Sequence, residues 1–136
     1  MIIVSIIVTL VAFLILDVIW ISIFAKKEYL HSLSHLLAIN PDGKLQLSIA
    51  PAILFYICIL FGIWYFAIYP NLNNSWYKAA INGGLIGLIT YGTYAFTCQS
   101  LFKGWTWPIT ITDVIWGIVI CAIVSIIGRA VQIAIG

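Results

Sequence analysis

Residues Ile2–Ala25 read IIVSIIVTLVAFLILDVIWISIFA, and Lys26-Lys27 closes the stretch. A helix needs about 20 apolar residues to cross a bilayer, and this segment supplies them with Asp17 as its single charge. A carboxylate at membrane depth costs about 2.5–3.5 kcal/mol on insertion scales, so it turns toward a protein interior and is there for a purpose. Asp17, Leu10, Phe13, Trp20 and Phe24 share a face at helical spacing, which predicts the inward side. The phrase Asp17-Val18-Ile19-Trp20 returns as Asp113-Val114-Ile115-Trp116 early in the last apolar segment. In a chain this rich in Ile and Val the recurrence does not establish a duplication. Its weight is that a second carboxylate stands in the same setting.

Composition agrees with the opening stretch. Hydrophobic residues make up 64% of the 136 residues and charged residues 7%, against about 25% charged in an ordinary soluble domain. The chain reads as an integral membrane protein with the lipid bilayer as its first partner. A net charge of +2, with no basic patch interleaved with aromatics, excludes nucleic acid as a partner. Cys58, Cys98 and Cys121 are odd in number, form no CxxC pair and lie in apolar segments, so they read as buried thiols. The first segment lacks a basic leader and carries Asp17 where a cleavage site would fall, so it reads as a retained helix rather than a signal peptide.

Punctuation residues divide the rest. Residues 26–38 alternate Tyr29, Leu30, Leu33, Leu36 and Leu37 with Lys27, His31, Ser34 and His35, the pattern of an amphipathic helix in the headgroup layer. Asn40-Pro41-Asp42-Gly43 then breaks the chain. A second span covers about 49–69, with Ser48 as N-cap and Pro51 in the first turn. Trp64, Tyr65 and Tyr69 mark its far end as an aromatic belt. Pro70 stops it. A third span covers about 76–102. Ala80, Gly84, Gly87, Tyr91, Ala95 and Cys98 form one stripe, and Gly83 with Gly87 gives a small-residue pair suited to close helix approach, within the chain or between copies as a homo-oligomer. Its last turns become polar, from Thr90 through Ser100. A fourth span runs about 108–135, with Asp113, Gly117, Cys121, Val124 and Gly128 on one face. Trp76, Trp105 and Trp107 read as interface anchors. The fold expected is a single all-α membrane domain over 1–136: a four-helix up-down bundle with one interfacial helix between its first two spans.

Antiparallel neighbours then bring the polar groups together. Asp17 lies eight residues before Ala25 and Asp113 five after Pro108, roughly 12 and 8 Å deep at 1.5 Å per residue. Both depths are measured from the end that carries the 26–48 and 103–107 connections. Tyr56, Tyr94, Thr97 and Cys98 come to a similar level. The site expected is a half-depth polar pocket of Asp17 and Asp113, walled by Trp20, Trp116, Tyr56, Tyr94 and Thr97, with an apolar plug filling the other half. Glu28, His31 and His35 have the spacing for a metal but no third fixed strong ligand; interfacial histidines are the plainer reading. Lys26, Lys27, Lys44 and Lys103 outnumber Lys78 and Arg129 at the opposite end, which places the 26–48 and 103–107 connections in the cytoplasm by the positive-inside rule.

The marks Leu16-Asp17-Val18-Ile19-Trp20, Gly87 leading to Tyr91 and Thr93-Tyr94, Trp107-Pro108, and Thr112-Asp113-Val114-Ile115-Trp116-Gly117 resemble the domain of unknown function 2177 family over nearly the whole chain. The resemblance implies a small four-helix protein of the bacterial inner membrane and supplies no activity. It also implies a third acidic residue where this chain has Ala95, and an Asn where it has Cys98, so a function needing three carboxyl groups would be altered here.

Among functions, the residues favour binding or transport of a small molecule, cation or proton at Asp17 and Asp113. The alternatives are a membrane enzyme acting on a lipid or isoprenoid, and an accessory or scaffold subunit whose aspartates clamp helices. No nucleophile elbow, P-loop, dinucleotide fingerprint or HExxH motif names an enzyme.

Overall fold

The computed structural model describes residues 2–25, 27 and 48–136. Within them the chain is helical, with no strand among the described residues. Helix α1 spans Ile2–Trp20 and continues as a π-helical turn, Ile21–Ala25; α2 spans Ile49–Gly62 and continues as a π-helical segment, Ile63–Ile68, and a 3-10 turn, Tyr69–Asn71. Helices α3 and α4 span Trp76–Leu101 and Trp107–Ile135. Ile and Val, mediocre helix formers in water, become helical here because a lipid-exposed backbone must satisfy every N–H and C=O within its own segment. The expected interfacial helix, with Glu28, His31 and His35, lies outside the described residues apart from Lys27.

Among the described residues three helical segments are long and apolar enough to cross a membrane: Ile2–Ile23, Ile49–Asn71 and Trp107–Ile135. Their outer surfaces are apolar, as Ile3, Ile7, Val11, Ile15 and Val18 illustrate on α1. This is an all-α membrane protein with several apolar spans. Helix α3 is long, at 26 residues, but Lys78, Asn82 and the polar run from Thr90 to Ser100 dilute its apolar character.

Helix α4 is the centre of the packing, with α3 along one side and α1 along the other. Both neighbours run antiparallel to it: Ser5 meets Gln132 and Asp17 meets Trp116 on α1, while Gly83 faces Cys121 and Ser125, and Gly87 faces Gly117, on α3. A Cβ on Gly87 would overlap the carbonyl of Gly117. The backbones touch there because dispersion between closely approaching small residues, not apolarity, holds helices together in lipid. Gly83 and Gly87, read from sequence as a stripe for close approach, thus meet α4 of the same chain.

The turns are tied by specific polar contacts. Gly104 takes φ 89° between α3 and α4, a conformation glycine adopts without strain. Beside it Trp105 Nε1 donates to Thr110 Oγ1 at 3.1 Å, Thr110 Oγ1 donates to Gln99 Oε1 at 2.7 Å, and Gln99 Nε2 returns to the Trp105 carbonyl at 3.1 Å. At the opposite end Arg129 donates to the carbonyls of Asn71, at 2.9 Å through Nε, and of Asn74. Two tryptophans expected as interface anchors are buried instead, Trp64 and Trp105, whereas Trp76 and Trp107 are exposed. Trp64 shares the inner stripe with Ile63 and Ile68, and Trp105 turns its indole N–H in toward Thr110. Of the three thiols only Cys121 is buried; Cys98 is half-buried and Cys58 lies exposed on the outer face of α2.

Candidate functional site

Every buried residue of α1 lies on one stripe spaced by four: Ser5, Thr9, Phe13 and Asp17. That spacing stacks side chains one turn apart on a single helix face, and the face is the one that meets α4. Asp17 is 6% exposed. Its Oδ2 accepts from Tyr56 Oη of α2 at 2.7 Å, and its Oδ1 accepts from Trp116 Nε1 of α4 at 3.4 Å. One carboxylate therefore joins three helices. Desolvating a carboxylate is tolerable only when donors replace the lost water, and two neutral donors do so here.

Aromatic rings surround this carboxylate. Trp20 and Trp116 stack with ring centroids 4.8 Å apart and planes 5° from parallel. Phe13 sets its ring edge-on to Tyr56 at 5.8 Å and 80°. Tyr91 packs on Gly117, where any Cβ would collide with its ring, and meets Phe55 edge-on at 6.2 Å. Tyr91 stands within electrostatic reach of both Asp17 and Asp113. Asp113 is 7% exposed and sits one helical turn from Trp116, toward the start of α4, with Cys98 of α3 in its electrostatic neighbourhood. Thr110, another turn back, is fully buried.

The structure therefore gathers Asp17, Tyr56, Trp20 and Trp116 directly, with Asp113 a turn away. Tyr94 and Thr97 are both exposed, and Tyr94 lies edge-on to Trp105 at 5.7 Å. The reason is helical phase, because α3 turns Gly84, Gly87, Tyr91 and Ala95 inward and leaves 94 and 97 on its flank. Tyr91 is the residue that site reasoning overlooked. Its signal was present, since it lies on the small-residue stripe as that stripe's one large polar member. Thr110 and Gln99 were also overlooked as a pair, because their contact crosses the α3–α4 turn.

The other half of the bundle is not the apolar plug expected. Ser5, Thr9 and Ser125 are fully buried there. Thr9 Oγ1 donates to the Ser5 carbonyl at 2.6 Å, Ser125 Oγ donates to the Cys121 carbonyl at 2.7 Å, and Ser5 Oγ donates to Gln132 Oε1. Back-bonding to the preceding turn lets hydroxyls lie inside an apolar helix, and averaged hydropathy hides them. Among the described residues no group of three or more His, Cys, Asp or Glu is placed to hold a metal; Glu28, His31 and His35 lie outside those residues.

No curated protein matches the chain, and neither does a solved structure. A family model described as predicted membrane protein (DUF2177) matches residues 2–130, and the chain belongs to that family.

Proposed function

We propose that the protein is a small membrane binding or transport protein in which Asp17, supported by Asp113, takes up a proton or small cation inside the bilayer. The observation that carries this reading is Asp17 itself: a carboxylate at membrane depth, coordinated by Tyr56 and Trp116 and faced by stacked aromatics. Intramembrane acids of this kind mark ion and proton pathways. In this reading α3 also crosses the membrane, since its 26 residues extend about 39 Å at 1.5 Å per residue. That gives a four-span bundle, with the 26–38 segment as an interfacial helix and the 26–48 and 103–107 connections in the cytoplasm of a bacterial inner membrane.

Purified protein in liposomes with a trapped pH dye tests the proposal. Wild type is expected to collapse an imposed proton or cation gradient and Asp17→Asn to fail. Wild-type vesicles as tight as empty ones, with no cation shifting the melting temperature, would sink it.

A second reading draws on the same hydrogen bonds. Because Asp17 ties α1 to both α2 and α4, it also suits a helix clamp in an accessory subunit. Asn keeps a carbonyl to accept from Tyr56 but cannot hold a charge. A clamp therefore predicts near-normal stability for Asp17→Asn and a large loss for Asp17→Ala, with a partner protein co-purifying and no flux in any variant.

A further inference from the structure

Helix α3 turns one flank toward α2. Near the start of α3 that flank is covered: Asn82 Nδ2 donates to the Phe66 carbonyl at 3.1 Å, a Cβ on Gly62 would meet Ile86 at 3.8 Å, and residues 63–68 pack along α3. Helical spacing carries the same flank on through Thr90, Thr93, Thr97 and Ser100. All four are exposed. The preceding stretch of α2, residues 49–62, packs chiefly on α1 and leaves Ile53, Leu54, Phe55 and Cys58 exposed as well. Phe55 still reaches Tyr91 edge-on at 6.2 Å. From that ring pair toward the end carrying the 103–107 connection, α2 and α3 form the two walls of a cleft open to the bilayer.

The α3 wall of this cleft is a ladder of hydroxyls. Thr90 Oγ1 turns back to the Ile86 carbonyl at 2.8 Å, the ordinary way a hydroxyl is accommodated on an apolar helix. The Thr93, Thr97 and Ser100 hydroxyls make no hydrogen bond to any described residue. Thr97 and Thr93 stand four and eight residues before Leu101, so the rungs descend roughly 6 and 12 Å at 1.5 Å per residue. Asp17 lies at the same level of roughly 12 Å. Tyr91, at the foot of the cleft, stands within electrostatic reach of Asp17.

We infer that the ligand of Asp17 is a cationic amphiphile, a protonated amine head on an apolar chain, which reaches the carboxylate sideways from the lipid. Its head descends the Thr97 and Thr93 hydroxyls between α2 and α3 while its chain stays in the bilayer. The inference rests on the reading of Asp17 as a cation site and names the class of cation. Both hydrogen-bond partners of Asp17 are neutral donors, so an ammonium head balances the carboxylate where an anionic head would be repelled. Hydroxyls accept as well as donate, and so stand in for the water that an ammonium loses on leaving the headgroup layer. The indoles of Trp20 and Trp116, stacked at 4.8 Å beside the carboxylate, add the attraction of aromatic faces for a cation.

The test uses the full chain in phosphatidylcholine vesicles at neutral pH and a dodecylamine carrying a photoreactive diazirine in its chain, with adducts mapped by mass spectrometry. The same chain with a sulfate head is the control probe. Saturable amine adducts are expected on residues 53–58 and 93–100, at least several-fold fewer in Asp17→Asn and in the double variant Thr93→Val, Thr97→Val, whose positions are exposed. The sulfate probe should label all lipid-facing helices evenly and respond to neither change. Amine adducts spread as evenly as those of the sulfate, or independent of the two threonines, overturn the inference. If the vesicles also collapse an imposed proton or cation gradient through Asp17 while amine labelling stays even, the Asp17 site stands and the lipid-borne ligand falls. In a background with Cys58→Ser, Cys98→Ser and Cys121→Ala, a disulfide-linked dimer formed through Thr97→Cys but not through Thr112→Cys would show a second copy covering the flank, and overturns the inference too.

Discussion

At the scale of single residues, Asp17 has two donors of different kinds. Tyr56→Phe removes the shorter hydrogen bond and keeps the ring that packs on Phe13, leaving one buried carboxylate oxygen short of a partner. Such a loss costs about 1–3 kcal/mol, so the detergent-solubilised variant should melt measurably below wild type, with little change in helix content. Thr110→Val strips the acceptor from Trp105 Nε1 and the donor from Gln99 in one step. It should also cost about 1–3 kcal/mol, and thermal melting with a parallel Thr112→Val control checks it, since the exposed Thr112 hydroxyl bonds only back to its own helix. Asp17 and Asp113 were legible in the sequence because charge is so rare in this chain. Tyr91 was less legible, since a tyrosine on an inward stripe looks like ordinary filling until the glycine opposite, Gly117, is known.

At the scale of elements, the α3–α4 contact sets the dimensions of the bundle. Gly87→Ala would force apart two backbones that have no side chain to yield, so a loss of about 1–3 kcal/mol is expected, as for other overpacked cores. Gly62→Ala is the matched comparison: its new methyl would find its nearest neighbour, Ile86 Cγ2, at 3.8 Å. There the helical preference for Ala over Gly should leave stability unchanged or raise it by up to about 1 kcal/mol. Melting both variants side by side separates close packing from propensity. Helix positions could be read from apolar length and from Pro51, Pro70 and Pro108 as punctuation. The π-helical segments after Trp20 and Gly62 could not, because one extra residue per turn leaves no compositional mark. Nor could the buried hydroxyls of Ser5 and Thr9, whose spacing by four becomes telling only once α1 is known to present that face to α4.

At the scale of the whole molecule, the lysines of the 26–48 and 103–107 connections oppose only Lys78 and Arg129, and Arg129 is engaged with the Asn71 and Asn74 carbonyls. A reporter fused after Gly136 should therefore behave as extracytoplasmic, with alkaline phosphatase active and green fluorescent protein dark; the reverse pattern would invert the proposed orientation. The all-helical, apolar character of the chain was readable from the sequence, and so was the antiparallel run of α3 against α4, because the short connection between them forces a reversal of direction, whereas the interior was not, since hydropathy grades a segment and not its faces. Of the six tryptophans in the chain, Trp20 and Trp116 stand parallel on two different helices, and one of them touches the carboxylate. Indoles so disposed share their electronic excitation. The protein thus carries an optical label of its own at the junction of α1 and α4, and its near-ultraviolet circular dichroism should change whenever those helices part or Asp17 exchanges what it holds, with no dye attached.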